Sequence, residues 1–445
     1  MTKLVFHLGD MKTGSTAIQT ALSSKRWTCD SVKLIYPHAN RVSHITFAQS
    51  LSGRVDGSRT ERLVQEILSE IAAHPGADVA VISAEHFESV KPEVLKQTIE
   101  ALMPGHLAGA RFIAYVRPHA DRIPSTYAER IKTGQYVGTM TELQALLHSR
   151  KTFVYTQRFM AWRKTFGDAF ELRPMIRERL FRQDVVADFL QFALQTEGFT
   201  LADAPDANES VSLENLSILR QMHVKLAGGK HKGENYQSTI GRSLARRMNE
   251  SNFRTGTKVR IHRDLAQLVR DEYAEDAAAL DAAFFTGTPM TDALDIAVAK
   301  SAEAEQSVRI EDHFTEREQY LINTFLDQTC VLIKADPDFL AETLRVEHRG
   351  NVIAHDEAPA PKRRRPVKDR KAAGRMAGKT GAGPAGRKAG AGKARRAGLR
   401  AENRANAPKA VTDQPAVSAE PKVIPAKTGP KARKKPTARA KPTDA

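Results

Sequence analysis

The stretch Lys3-Leu4-Val5-Phe6-His7-Leu8-Gly9-Asp10-Met11-Lys12-Thr13-Gly14-Ser15-Thr16-Ala17-Ile18-Gln19-Thr20-Ala21-Leu22 decides the fold. Its first six residues are a short apolar run rich in strand formers, which Gly9 stops. From Thr16 the apolar residues recur at helical spacing. A strand, a tight glycine-containing loop and a helix therefore follow one another. In that context loop amides and a helix N-terminus form a cradle for an anion, so phosphate or sulfate binding is expected at residues 9–16.

Working outward, residues 78–83 and 110–116 read as two further buried strands, separated by a helical stretch at 91–103. Glu171-Leu172-Arg173-Pro174-Met175 reads as a late strand, and 183–194 as an amphipathic helix with Val185, Val186, Phe189, Leu190 and Phe192 for the core. Strands alternating with helices predict a parallel sheet covered on both faces. Beyond residue 210 the pattern is mostly helical, clearest at 212–226, 259–285 and 315–345. The Gly- and Lys-rich stretch 227–258 is expected to be a surface loop or a segment that orders on binding.

Charge divides the chain again. Residues 361–445 hold 25 of the 68 Lys and Arg but 5 of the 52 Asp and Glu, a net of +20, which leaves −4 for residues 1–360. The body is thus not itself a basic nucleic-acid-binding protein. The tail lacks Phe, Trp and Tyr and carries runs such as Lys362-Arg363-Arg364-Arg365, so it cannot bury enough apolar surface to order and is expected to be disordered. Such a tail attracts nucleic acid or another polyanion, or is a solubilising extension without a fixed partner.

Cys29 and Cys330 suit neither a disulfide framework nor a cysteine-based zinc site, and a reducing compartment fits them best. The chain enters a strand without a basic leader and has no window of about 18 apolar residues. A cytoplasmic protein with no transmembrane segment is the expectation. No His, Asp and Glu cluster at ligand spacing implies a metal.

The loop is close to the nucleotide-binding pattern G-x-x-x-x-G-K-[ST], but Ser15 stands where that pattern needs lysine, and the lysine lies inside the loop at Lys12. Lys12-Thr13-Gly14-Ser15-Thr16 instead resembles, at every position, the loop of the sulfotransferase family. That resemblance implies that Lys12, Thr13, Gly14, Ser15 and Thr16 hold the 5′-phosphosulfate of 3′-phosphoadenosine 5′-phosphosulfate (PAPS). The family also follows a later strand with an arginine and, eight positions on, a serine that grip the 3′-phosphate. Arg117 and Ser125 match this pair, with Arg122 at the intermediate basic position. Arginine suits the task because its planar fork bonds two phosphate oxygens and stays charged. The bland reading makes Arg117 a solvated strand-end charge and Ser125 an N-cap.

One departure from the family is proline, at Pro118 and Pro124 rather than two residues after the arginine. With 126–134 read as the helix, Pro124 falls before it or in its first turn. The resemblance covers about residues 3–220 and implies an α/β, P-loop-like parallel sheet with flanking helices, a mostly helical C-terminal portion and a disordered basic tail. The expected organisation is a PAPS-binding core at 1–205, a helical portion at 206–355 completing the domain and the acceptor site, and the tail at 356–445.

The chemistry implied is in-line transfer of a sulfuryl group from PAPS to an acceptor hydroxyl, with carbohydrate among the candidate acceptors. By analogy with phosphoryl transfer, Lys12 and the loop amides stabilise charge on the leaving phosphate. A base must take the hydroxyl proton, and Ser83-Ala84-Glu85-His86 follows a strand and offers two. Glu85 resembles the glutamate of a Ser-x-Glu segment in bacterial family members, and His86 is the fallback. His7 and His119 are expected to be structural or supporting residues. Two rivals stay open: a kinase-like or other P-loop nucleotide enzyme, and a non-catalytic scaffold that binds polyanions through its tail.

Overall fold

The protein is seen in a computed structural model that describes residues 1–37, 42–54, 56–202, 211–227, 236–250 and 256–344. It divides into a unit Met1–Pro361 and a unit Lys362–Ala445. The tail expected to be disordered lies outside the described residues.

Strands β1 (Lys3–His7), β3 (Leu34–Ile35), β4 (Val79–Ser83), β5 (Arg111–Val116) and β6 (Phe170–Pro174) form a parallel sheet in the order β3-β4-β1-β5-β6. A small antiparallel pair joins β2 (Trp27–Thr28) to β7 (Thr200–Leu201). The first eight helices are α1 (Ser15–Ser23), α2 (Ile45–Leu51), α3 (Arg59–Ala72), α4 (Pro92–Leu102), α5 (His119–Lys132), α6 (Met140–Ser149), α7 (Thr156–Phe166) and α8 (Val185–Leu194). Helices α9 (Leu213–Leu226), α10 (Tyr236–Glu250), α11 (Arg263–Phe284), α12 (Pro289–Ala299) and α13 (Glu316–Ala335) follow, and the described part ends on a helical stretch at 337–344.

Strand side chains alternate between two apolar layers, as the pleat requires. Leu4, Phe6, Ala80, Ile82, Phe112 and Ala114 join the larger core, whereas Val5, Val79, Val81, Ile113 and Tyr115 meet α1 and α8 on the opposite face. Helices α9 to α13 contribute Leu216, Ile240, Leu265, Leu294 and Ile333 to that same larger core, so the helical portion is continuous with the sheet. The chain runs from central β1 to β3 and β4 on one side, then crosses to β5 and β6 on the other. The order reverses at β1, and at its carboxyl end, the place where open α/β sheets bind ligands, the loop 8–14 leads into α1.

Three expectations need correction. Residues 227–258 contain a helix, α10, because Tyr236, Ile240 and Ala245 recur on one buried side and pack it against α5 and α9. The helix after β5 begins at His119, so Pro124 lies inside α5 and Ser125 is in its interior rather than at its start. The long helix expected at 315–345 is broken once: α13 stops at Ala335 with Asp336 as its C-cap, and a second helical stretch runs over 337–344, opened by Pro337 and capped by Asp336 Oδ1, which accepts from the Phe339 amide at 3.0 Å.

Candidate anion-binding site

The loop between β1 and α1 is held by positions whose backbone only small residues fit. Gly9 has φ +53°, and a Cβ there would lie 2.6 Å from Glu85 Cα; this close approach puts the end of β4 against the loop. Gly14 has φ +80°, and a Cβ would meet Val185 Cγ1 at 2.8 Å, at the start of α8. Between them Lys12 itself takes φ +67°, a conformation uncommon for a residue with a side chain and one that concentrates at ligand sites. Thr13 Oγ1 donates to the Asp10 carbonyl at 2.7 Å and closes the turn. Among the described residues no side chain caps α1, its first turn has no acidic residue, and the Ser15 and Thr16 amides have no backbone acceptor. The end of α1 therefore presents donors and positive dipole.

The two motifs that lie a hundred residues apart in sequence meet here. Arg117 Nη1 donates to the Lys12 carbonyl at 3.1 Å and to Ser125 Oγ at 3.2 Å. Arg117 leaves the end of β5, and Ser125 comes from the second turn of α5. On the other side, Lys12 Nζ donates to Glu129 Oε2 at 2.6 Å. Arg122, Ser125, Glu129 and Lys132 form one stripe of α5 at helical spacing, and the first three each touch the loop or Arg117.

Beneath the loop sits a buried ionic cluster. Asp10 accepts from Arg122 Nη2 at 3.0 Å and from Arg158 Nη2 at 2.9 Å, and Arg158 also pairs with Glu88 at 3.2 Å. Arg122, the intermediate basic position between Arg117 and Ser125, is thus committed to Asp10.

No protein-family model and no curated protein matches this chain. Among solved structures, a sulfotransferase from Alicyclobacillus acidocaldarius is similar at 13% identity, over 63% of this chain and 95% of that one, with a TM-score of 0.35. A likeness of that degree carries no argument about activity.

The electrostatics separate the acidic groups into distinct roles. Burial opposes ionisation of Glu129, yet Lys12 and Lys132 together pull its carboxyl down to about 2. Burial raises Glu85 above its ordinary value, against the opposing fields of Lys12 and Arg242. For Asp10, burial is overcome by Arg158 and Arg122, which hold it well below the usual carboxylate range. Glu88 is pushed up, by burial and by the Asp10 charge beside it. Asp10 is the ionised partner of this pair because it takes two guanidinium contacts and Glu88 takes one. Lys12 is lowered by burial, with Glu129 opposing.

Of the two candidate bases, Glu85 starts the turn after β4, faces Gly9 and feels Lys12; His86 is lowered by burial and by Arg54. His7 is fully buried, with Nδ1 at 2.8 Å from Ser83 Oγ, and burial lowers it to about 3. His119 is stacked on Tyr273 and bonded to Asp276 at 3.0 Å. Both are placed as framework residues. No group of His, Cys, Asp and Glu suited to a metal occurs among the described residues, and no described helix is long and apolar enough to cross a membrane.

Sequence reading missed Asp10, Glu88, Arg158, Glu129 and Arg242. The i, i+4 spacing of Ser125 and Glu129 was a usable signal for one of them. Asp10, Glu88 and Arg158 come from three separate loops and helices, and no local pattern announces their meeting.

Proposed function

We propose that this chain is a PAPS-dependent sulfotransferase that moves the sulfuryl group of PAPS to an acceptor hydroxyl. The observation that carries the reading is the contact of Arg117 with both Ser125 and the Lys12 carbonyl, which brings the two resembling motifs together. The residues fit the donor. Free amides at Ser15 and Thr16 and the α1 dipole suit the 5′-phosphosulfate, while Arg117 and Ser125 suit the 3′-phosphate.

In this reading the acceptor oxygen forms a bond to sulfur as the sulfur–oxygen bond to the nucleotide phosphate breaks. The electron pair of that bond goes to the phosphate, where Thr13, Gly14, Ser15, Thr16 and Lys12 meet the charge. Lys12 does so by exchanging Glu129 for the phosphate. Glu85 takes the hydroxyl proton, its carboxylate being made more basic by burial. The helical portion that follows supplies the acceptor side, with α10 nearest through the contact of Arg242 with Glu129 and with carbohydrate hydroxyls among the candidates. The tail serves as a polyanion-binding arm, and the protein works in the cytoplasm.

The experiment is release of 3′-phosphoadenosine 5′-phosphate from PAPS, followed with a panel of hydroxyl acceptors, for the full chain and for Lys12→Ala. Acceptor-dependent release that is lost in the variant supports the reading. No release with PAPS, together with turnover of ATP and magnesium, moves the chain to the kinase-like class.

A further inference from the structure

Helix α13 is apolar on two sides. Leu326, Cys330 and Ile333 face inward and are buried. That inner side is pinned to α9: Gln221 bonds Asn323 at 3.2 Å, Lys225 bonds Asp327 at 2.6 Å, and Lys334 Nζ donates to the Lys225 carbonyl at 2.9 Å. The other side carries Leu321, Phe325 and Leu332 at spacings of four and seven, flanked by Tyr320 and Val331. Phe325 is 72% exposed, Tyr320 71%, and Val331 and Leu332 60% each, among the most exposed large apolar side chains described. A helix apolar all round belongs in an interior, and a stripe of this kind marks an interaction surface.

We propose that this face docks a second copy of the chain, pairing α13 antiparallel with its symmetry mate. The distribution of charge along the helix favours this occupant. An antiparallel pair centred between Leu326 and Asp327 sets Leu321 opposite Leu332 and Arg317 opposite Asp336, twice over by the two-fold axis. Neither Arg317 nor Asp336 has an ion pair among the described residues. In this register Phe325 lies opposite Gln328, which leaves the two Phe325 rings about 4.5 Å apart along the axis, close enough to pack.

Other occupants fit less well. Residues 345–445 have no Phe, Trp or Tyr, and their adjacent aliphatic pairs are Val352-Ile353 and Val423-Ile424, too little to cover five exposed rings and branched chains. A bilayer surface is disfavoured because α13 carries Glu316, Glu318 and Asp327 against Arg317 and Lys334, the reverse of a basic interfacial helix.

The test is the mass of the full chain by sedimentation equilibrium over a concentration series, in enough salt to screen repulsion between the basic tails. The expected mass is twice that of the chain, reduced about twofold in F325E/L332E with an unchanged far-ultraviolet spectrum. R317E weakens the dimer several-fold, and R317E/D336R recovers part of the loss, which fixes the antiparallel register. A monomer across the series, a dimer indifferent to F325E/L332E, or open-ended assembly overturns the proposal.

Discussion

Lys12 Nζ and Glu129 Oε2 lie 2.6 Å apart, and the same carboxylate also holds Lys132 at 2.5 Å and Arg242 at 3.0 Å. Three cations thus converge on one carboxylate at the mouth of the anion loop. In the proposed function an incoming phosphate competes with Glu129 for Lys12, so the ion pair would oppose binding while ordering the lysine.

Glu129→Gln therefore leaves the cations without their counter-charge. Affinity for 3′-phosphoadenosine 5′-phosphate rises several-fold, about 1 kcal/mol, measured by calorimetric titration at fixed salt. Stability moves the other way. The folded carboxyl sits at about 2 against an ordinary 4.5, so its contribution is full above 4.5 and is lost as pH falls toward 2. Denaturant titrations at neutral pH show a loss on the order of 1–3 kcal/mol in the variant, and the gap to wild type closes in acid.

Asp10→Asn keeps the shape of the loop anchor and removes the charge that Arg122 and Arg158 share. Leaving two buried guanidiniums short of a partner costs about 3–5 kcal/mol in urea unfolding. The same variant weakens anion binding, because the two ion pairs of the Asp10 carboxylate tie the loop to α5 and α7.

Glu88 gives the cluster a pH dependence of opposite sign. Its folded pKa is raised above the ordinary 4.5, so its contribution is fully present below 4.5 and is lost as pH climbs through the raised value. Glu88→Gln flattens that decline and is more stable than wild type in alkali, as unfolding midpoints across a pH series reveal.

Much of this was legible beforehand. The apolar run 4–8 and the glycines at 9 and 14 announce a strand, a turn and a helix through purely local constraints, and β1, α1, β4 and β5 fall within a residue or two of expectation. Pro124 misled because proline is a local stop signal, whereas α5 is held through it by burial of Ile123, Tyr127 and Ile131. Helix α10 was missed for the converse reason: Gly and Lys around it masked a short apolar face that acquires meaning when α5 and α9 are present to cover it. The charge partners of the loop are long-range in sequence, Lys12 with Glu129 and Asp10 with Arg158, and side-chain patterns within one segment do not encode them.

Glu85 is the proposed base, and its raised pKa sets the acid limb of the rate. Turnover rises with pH as the carboxyl ionises, above its ordinary 4.5, and Glu85→Gln lowers kcat by about 10²–10⁴ while leaving nucleotide binding near wild type. His86→Ala, by contrast, changes the pH profile little. A profile that follows His86 instead transfers the role to it.

Arg117 and Ser125 are proposed to complete a site for a 3′-phosphorylated nucleotide, and thermal unfolding of the full chain reads that site out. The ligands are 3′-phosphoadenosine 5′-phosphate, ADP, and ATP with magnesium, compared in wild type and Arg117→Ala. Stabilisation by the 3′-phosphorylated nucleotide alone is predicted, about 2.7 kcal/mol at roughly 100 times its dissociation constant, and the variant loses it. Equal stabilisation by ADP, or a preference for ATP with magnesium, contradicts the account.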